Sequence, residues 1–148
     1  MTDEKLGSEI KGEEYLVLHE FVKKAKEKLP KETWDYLIGA AETETTFKRN
    51  RYALDSLAFR PRDLRDVENV NLSSKLFGHE LRIPVILAPI GSMQDFVEGA
   101  GEAPTKAASE FGVMHMISST CMPGFEQVAK SVNYPKLFQL YVRGDPDW

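Results

Sequence analysis

The sequence predicts an α/β fold, the start of a (β/α)8 TIM barrel preceded by an N-terminal helical segment and a short β-hairpin. Two observations carry this prediction. Apolar runs and amphipathic segments alternate over the second half of the chain in the order strand, helix, strand, helix, strand. The three strands are marked by Val85, His115 and Leu137, which lie 30 and 22 residues apart, a spacing typical of successive βαβ units. Because such a barrel needs eight units and about 250 residues, the 148-residue chain is expected to hold barrel units 1–3.

The first part of the chain is predicted to be helical after a polar tail at residues 1–12. Apolar positions spaced by three and four residues predict an amphipathic helix from Glu13 to Leu29. Pro30 interrupts this pattern and can open a second helix, since proline is tolerated in a first helical turn. Tyr36 lies off the apolar stripe of that second helix. A third helix is expected over roughly Thr45 to Leu57.

The remaining elements follow from turn signals and apolar runs. The stretch "VNLSSKLFGHELRIP" predicts two short strands that turn at Gly78. The run "PVILAP", Pro84 to Pro89, predicts a strand buried on both faces. A helix over "EAPTKAASEFG" is expected to end at Gly112. The last three predicted elements are the strand "VMHMIS", the helix "GFEQVAKSV" and the strand "KLFQLYV".

Composition excludes several classes of partner. The 19 basic and 23 acidic residues are scattered without a basic stripe, so nucleic acid is a poor partner. The apolar runs are far shorter than the roughly 20 residues that cross a bilayer, and the charged N-terminus lacks the apolar region of a secretory signal. We therefore expect no membrane segment and a cytoplasmic location. A single cysteine, Cys121, excludes an intrachain disulfide and a cysteine-based metal cage, and no metal site is predicted.

Polar side chains follow the predicted parallel strands, at the edge where ligands gather in α/β folds. Gln139 and Tyr141 are two residues apart, so both are expected on the inner side of the last strand, with its apolar residues turned toward the helices. A buried amide and phenol need hydrogen-bond partners, which a ligand with polar edges would supply. Local backbone or water would satisfy them as well. Ser118 follows the middle strand, where a hydroxyl is commonly a loop cap.

Several stretches occur together in an order that resembles one enzyme family. They are "KLPKETWDYLIGAAETETTFKRNRYAL", "FRPRDLRDV", "LFGHELRIPVILAP", "SEFGVMHMISST" and "FQLYV". This series is similar to FMN-dependent α-hydroxy acid oxidases and dehydrogenases, a family that includes glycolate oxidase and lactate oxidase. The resemblance runs from about Glu13 to Asp145 and identifies residues 13–148 as the N-terminal part of one such domain.

The resemblance implies an FMN cofactor and the oxidation of a small 2-hydroxy acid to a 2-oxo acid, with hydride or its equivalent passing to flavin N5. It implies that Tyr36 and Tyr141 bind substrate. It implies that the flavin meets the backbone of one segment and two polar side chains, namely Ala88, Pro89 and Ile90, then Ser118 and Gln139.

The resemblance also implies that the catalytic residues come from later strands of the barrel. Family members supply the catalytic base, an arginine and a lysine from later strands, so no catalytic residue is expected before Trp148. The isolated chain is expected to be inactive, and the full-length form to be a homo-oligomer. Thr120 stands where many members have an aromatic residue, which predicts a roomier substrate pocket, and "VEGAGE" at 97–102 departs from the family pattern. Two alternatives stay open: a non-catalytic module that keeps the barrel start, and a different FMN barrel such as an isopentenyl diphosphate isomerase-like enzyme.

Overall fold

The structure, a computed structural model, describes residues 15–145 and is α/β. The α/β class predicted from the sequence is therefore confirmed. The chain divides into two compact units, Met1–Tyr52 and Ala53–Trp148. The polar tail predicted for residues 1–12 lies outside the described residues. No helix within residues 15–145 has the length and apolar content that crossing a membrane requires.

Three helices come first in the chain. They are α1 (Leu18–Lys28), α2 (Lys31–Ile38) and α3 (Thr45–Asp55). The first begins later than the predicted Glu13 because the Glu20 carboxylate accepts the backbone N–H groups of Leu16 and Val17, at 2.6 and 3.3 Å. A carboxylate in the first turn satisfies donors that have no partner inside the helix. Pro30 caps α2, as the sequence predicts.

A short antiparallel hairpin follows. Its strands are β1 (Ser74–Leu76) and β2 (His79–Leu81), joined by the two residues Phe77 and Gly78. Both turn residues have positive φ, 48° and 80°, as a type I′ hairpin turn requires. The predicted hairpin turning at Gly78 is confirmed.

The second unit contains a three-stranded parallel sheet in the order β3-β4-β5. The strands are β3 (Ile86–Leu87), β4 (Met114–Ser118) and β5 (Leu137–Gln139). Helix α4 (Glu102–Phe111) connects the first pair and α5 (Phe125–Ser131) the second. Helix α4 ends at Gly112, whose φ of 91° places it in the left-handed region. The predicted order of strands and helices is confirmed.

The two outer strands differ from their predictions. The "PVILAP" run was expected to be a strand buried on both faces, and this is wrong, because β3 has two residues and Leu87 is partly exposed. Among residues 15–145 it pairs with β4 alone, and the Val85 N–H bonds the Ile83 carbonyl in a turn just before it. The strand predicted through residue 142 ends at Gln139, because β4 itself ends at Ser118.

The core of the second unit forms where α4 and α5 meet the sheet. Buried apolar side chains come from β2, β4, both helices and the adjoining loops: Leu81, Ala100, Ala108, Val113, Met114, Ile117, Cys121 and Val128. One polar pair lies among them, since Thr105 of α4 and His115 of β4 are both buried and 2.8 Å apart. This core supports the carboxyl ends of the strands.

Candidate functional site

Hydrogen bonds tie together the segments that follow the parallel strands. The Ser92 N–H, after β3, donates to the Thr120 carbonyl at 3.1 Å. The Ser119 N–H, after β4, donates to the Gln139 carbonyl at 3.1 Å. Ligands of parallel α/β folds bind at this end of the sheet, so the candidate site is the surface formed by these three strand ends.

The two faces of the sheet have different roles. The Phe138 ring packs against Phe125 of α5, with centroids 5.0 Å apart, so Phe138 faces the helices. Because successive strand residues point to opposite faces, Gln139 lies on the face turned away from α4 and α5. Ser118 is the register partner of Gln139 and shares that face. The sheet therefore presents an amide and a hydroxyl side by side, away from its helices.

The amide of Gln139 is the most informative group at the site. Its Oε1 atom is buried and has no hydrogen-bond partner among residues 15–145. A buried acceptor left without a donor costs roughly 1–3 kcal/mol, so native proteins rarely leave one in place. The geometry therefore calls for a donor beside Gln139.

Ser118 is buried and its hydroxyl is paired. Its Oγ accepts the Thr120 N–H at 3.3 Å and lies 3.1 Å from the Thr120 hydroxyl. Thr120 in turn lies against Gly91, since a Cβ placed on Gly91 would clash with the Thr120 Oγ1 atom. Two loops thus meet beside Ser118 in a contact where a side chain at position 91 would displace the Thr120 hydroxyl.

The predicted backbone segment comes to the same end of the sheet. Ala88, Pro89 and Ile90 follow β3 directly and lead into Gly91. Ala88 and Ile90 are exposed, and Pro89 is half-buried. The structure therefore brings this segment, Ser118 and Gln139 together at the strand ends, and their roles toward a ligand stay predictions.

The two tyrosines are placed differently from expectation. Tyr141 was expected on the inner face of a strand, but it follows the end of β5, where strand alternation no longer fixes its direction. Its N–H donates to the Ser119 Oγ at 3.4 Å, and the Arg143 guanidinium lies 5.5 Å from its ring centroid. Tyr36 is an exposed residue of α2 in the first unit. Substrate binding by either tyrosine stays a prediction.

Two buried titratable groups lie near these loops. Burial lowers the pKa of His115. Burial raises the pKa of the Cys121 thiol, opposed by hydrogen bonds from the Met93 and Gly101 backbone. A raised thiol pKa reduces the thiolate fraction, so Cys121 is a poor nucleophile at neutral pH.

The hydroxyl contacts behind the site were not predicted from the sequence. Ser119 accepts the Tyr141 N–H, and Thr120 pairs with Ser118. A signal was present, because "SST" at 118–120 places three hydroxyls in a row at the end of a strand. Residues two apart in extended chain share a side, which puts 118 and 120 within reach of each other.

A separate cavity lies at the opposite, amino-terminal ends of β4 and β5 and has a volume of about 240 Å³. It is lined by Phe77, His79, Met114, Pro135, Lys136 and Leu137. The Lys136 ammonium donates to the carbonyls of Val132 and Tyr134, so it satisfies backbone acceptors just after the end of α5. This cavity is not part of the candidate site.

Comparison with known proteins gives consistent matches. The family model described as FMN-dependent dehydrogenase matches residues 25–148. Glycolate oxidase 1 of Oryza sativa subsp. indica is 39% identical over 122 residues, which cover 82% of this chain and 33% of the relative. Glycolate oxidase of Spinacia oleracea is 36% identical over 129 residues, 86% of this chain and 35% of the relative. The chain thus spans about a third of the length of these curated relatives.

Solved structures agree with the sequence comparisons. An oxidised active mutant of (S)-mandelate dehydrogenase superimposes with a TM-score of 0.79 at 30% identity, covering 84% of this chain and 35% of the other. Mandelate oxidase superimposes with a TM-score of 0.81 at 31% identity, covering 86% and 37%. The family predicted from the motifs is confirmed, and with it the FMN dependence of that family. The chain belongs to the FMN-dependent dehydrogenase family.

Proposed function

We propose that the strand ends of this chain form part of an FMN site in an enzyme that oxidises a 2-hydroxy acid to a 2-oxo acid. The observation that carries the proposal is the buried, unpartnered Gln139 Oε1 beside Ser118, on the face turned away from the helices. Membership of an FMN-dependent family supports it independently.

The residues present fit the cofactor. The pyrimidine edge of a flavin has an N–H donor next to carbonyl acceptors. Gln139 Oε1 would accept from the N–H, and the Ser118 hydroxyl, one register position away on β4, would bond an adjacent carbonyl. The backbone of Ala88, Pro89 and Ile90 would lie against the ring. FMN supplies, when bound, the two-electron acceptor for hydride or its equivalent from C2 of the acid.

The topology supports a barrel as the setting of this site. His115 bonds Thr105 of α4, and Phe138 packs on Phe125 of α5. The register pairs Ile117 with Phe138, so both contacts lie on one face of the sheet. Doubly wound sheets carry helices on both faces, whereas barrels carry them outside a single closed sheet. We therefore propose that β3, β4 and β5 are the first three barrel strands.

The substrate class comes from the relatives. Glycolate oxidases and mandelate dehydrogenases are named for 2-hydroxy acids of very different size. We propose that Tyr36 and Tyr141 bind such an acid, Tyr36 through a hydrogen bond to the carboxylate, as the family resemblance implies. We assign no general base among residues 15–145, since His115 is buried in its bond with Thr105. Thr120 is smaller than the aromatic residue that many family members have at this position, which predicts that the protein accepts acids with larger side chains.

Flavin fluorescence quenching, measured with a polypeptide of the relatives' length that contains this chain, tests the cofactor site. We expect Gln139→Leu to weaken FMN binding by about tenfold, because it removes the acceptor while keeping a similar volume. Gln127→Leu is the matched control, since Gln127 is an exposed residue of α5. Equal FMN affinity in Gln139→Leu and the unaltered chain would contradict the proposal.

Acid preference tests the substrate proposal. In a polypeptide of the relatives' length that contains this chain, turnover of glycolate, lactate and mandelate would be compared with that of Thr120→Trp. With turnover expressed per bound FMN, we expect the unaltered protein to accept the larger acids and the tryptophan variant to lose them before it loses glycolate. Strict preference of the unaltered protein for the shortest acid counts against a roomier pocket.

A further inference from the structure

We propose that Thr120 is a positioning residue that fixes the Ser118 hydroxyl as a hydrogen-bond donor toward the ligand. The inference rests on the proposed FMN site, and it concerns what sets the polarity of that site. Its starting point is the pair of contacts that Thr120 makes with one atom, the Ser118 Oγ.

Counting the hydrogen-bond donors and acceptors around the Ser118 Oγ shows why this hydroxyl would be left as a donor. A serine hydroxyl has one hydrogen and two lone pairs. The Thr120 N–H uses one lone pair of the Ser118 Oγ at 3.3 Å. Either hydroxyl can donate across the 3.1 Å between the Thr120 Oγ1 and the Ser118 Oγ, and we assign Thr120 as the donor, which uses the second lone pair of Ser118. The hydrogen of Ser118 is then the one group left, and Ser118 can only donate to a further partner.

This polarity complements that of Gln139. The unpartnered Oε1 of Gln139 is an acceptor on the same face as Ser118. The two side chains together therefore present an acceptor next to a donor. That pattern matches an N–H beside a carbonyl, the edge of an imide, and a Ser118 that could also accept would be less selective for it.

The loop after β3 holds Thr120 in position. The Thr120 carbonyl accepts the Ser92 N–H at 3.1 Å, which fixes its backbone. Its hydroxyl occupies the space where a Cβ on Gly91 would lie. A side chain at position 91 would push the Thr120 hydroxyl out of reach of Ser118. Thr120 itself is exposed, so removing its hydroxyl leaves the core intact.

A double-mutant cycle tests this, with FMN titrated by fluorescence quenching into a polypeptide of the relatives' length that contains this chain. The variants are Thr120→Val, Thr120→Ser, Ser118→Ala and the Ser118→Ala/Thr120→Val pair. We expect Thr120→Val to weaken binding by about three- to tenfold and Thr120→Ser to restore it. In the Ser118→Ala background, Thr120→Val should have no further effect, because Thr120 acts through Ser118. Additive losses would overturn the proposal, as would equal losses in Thr120→Ser and Thr120→Val.

Two further measurements separate polarity from shape. With 4-thio-FMN, in which a weakly accepting sulfur replaces one ring carbonyl oxygen, the loss caused by Thr120→Val should shrink toward zero. Gly91→Ala, which displaces the hydroxyl without altering Thr120, should reproduce Thr120→Val. A loss of the same size with FMN and 4-thio-FMN would overturn the donor role. Absence of FMN binding by the unaltered polypeptide of the relatives' length would remove the proposed function together with this inference, whereas FMN binding unaffected by Thr120→Val would overturn this inference alone.

Discussion

Individual hydrogen-bonding atoms determine which tautomer the buried His115 adopts. The Thr105 hydroxyl donates its one hydrogen to the Gly101 carbonyl at 2.7 Å, so it can only accept from His115. The His115 Nδ1 atom, 2.8 Å away, therefore carries the hydrogen. Burial lowers the pKa of this imidazole, which keeps it neutral. The same atom-by-atom count identifies Gln139 Oε1 as the acceptor still in need of a donor.

The lowered pKa of His115 predicts loss of stability in acid. As pH falls through about 6.5, histidine in the unfolded chain binds a proton, whereas buried His115 in the folded chain does not yet bind one. The free energy of unfolding therefore falls. We expect urea unfolding of dilute protein to show this decrease from about pH 7.5 to about pH 5.5, and His115→Gln to flatten it. His79→Gln is the control, since His79 is exposed on β2. An unchanged pH dependence in His115→Gln would contradict the prediction.

At the scale of elements, the hairpin turn combines one favourable residue with one unfavourable residue. A type I′ turn needs positive φ at both central positions, where glycine and asparagine are preferred. Gly78 meets this need without strain, but Phe77 adopts a φ of 48° with a large side chain. The Phe77 ring is 76% exposed, so little packing compensates for that conformation.

Phe77→Asn is therefore expected to stabilise the hairpin. Asparagine tolerates the left-handed region, and we expect a gain of about 0.5–1 kcal/mol in the free energy of unfolding. Gly78→Ala provides the opposite arm and should destabilise by about 1 kcal/mol, because alanine is strained at positive φ. Chemical unfolding of the three proteins measures both effects. Destabilisation by Phe77→Asn would show that the exposed ring contributes more than its conformation costs.

Elements with local signals could be predicted from the sequence, and those that depend on neighbours could not. Gly78 and Gly112 mark a turn and a helix end by their own conformational freedom, and both were predicted correctly. The lengths of β3 and β5 depend on what pairs with each strand, which an apolar run does not encode. At the site, period-two alternation correctly placed Gln139 away from the helices. The Ser118–Thr120 bond depends on side-chain rotamers and on the approach of Gly91, which spacing does not contain.

At the scale of the whole molecule, many large apolar side chains remain exposed in residues 15–145. Examples from the second unit are Phe59, Leu64 and Val142. Among these residues β5 pairs with β4 alone, so its outer edge offers backbone groups to another strand. Exposed apolar side chains beside an open strand edge favour self-association. We therefore expect the isolated chain to aggregate.

A charge beside the open edge should reduce that association. Leu140 directly follows β5 and is 64% exposed, whereas Leu57 follows α3 and is 76% exposed. Leu140→Lys and Leu57→Lys remove the same apolar side chain and add the same charge. We expect Leu140→Lys to raise the concentration at which light scattering begins by about twofold or more, with a smaller effect of Leu57→Lys. Equal effects would show that general apolar exposure, rather than the strand edge, drives association.

The Thr105–His115 bond also bears on the order in which the molecule assembles. It joins residues only ten apart in sequence, whereas the Ile86–Met114 strand pair closes a loop of 28 residues. Short loops close at a smaller entropic penalty, so native contacts of low sequence separation tend to arise early in folding. Helix α4 and strand β4 are thus expected to nucleate this unit. The end of the sheet that carries the candidate site would then be completed later, after α4 and β4 have packed together.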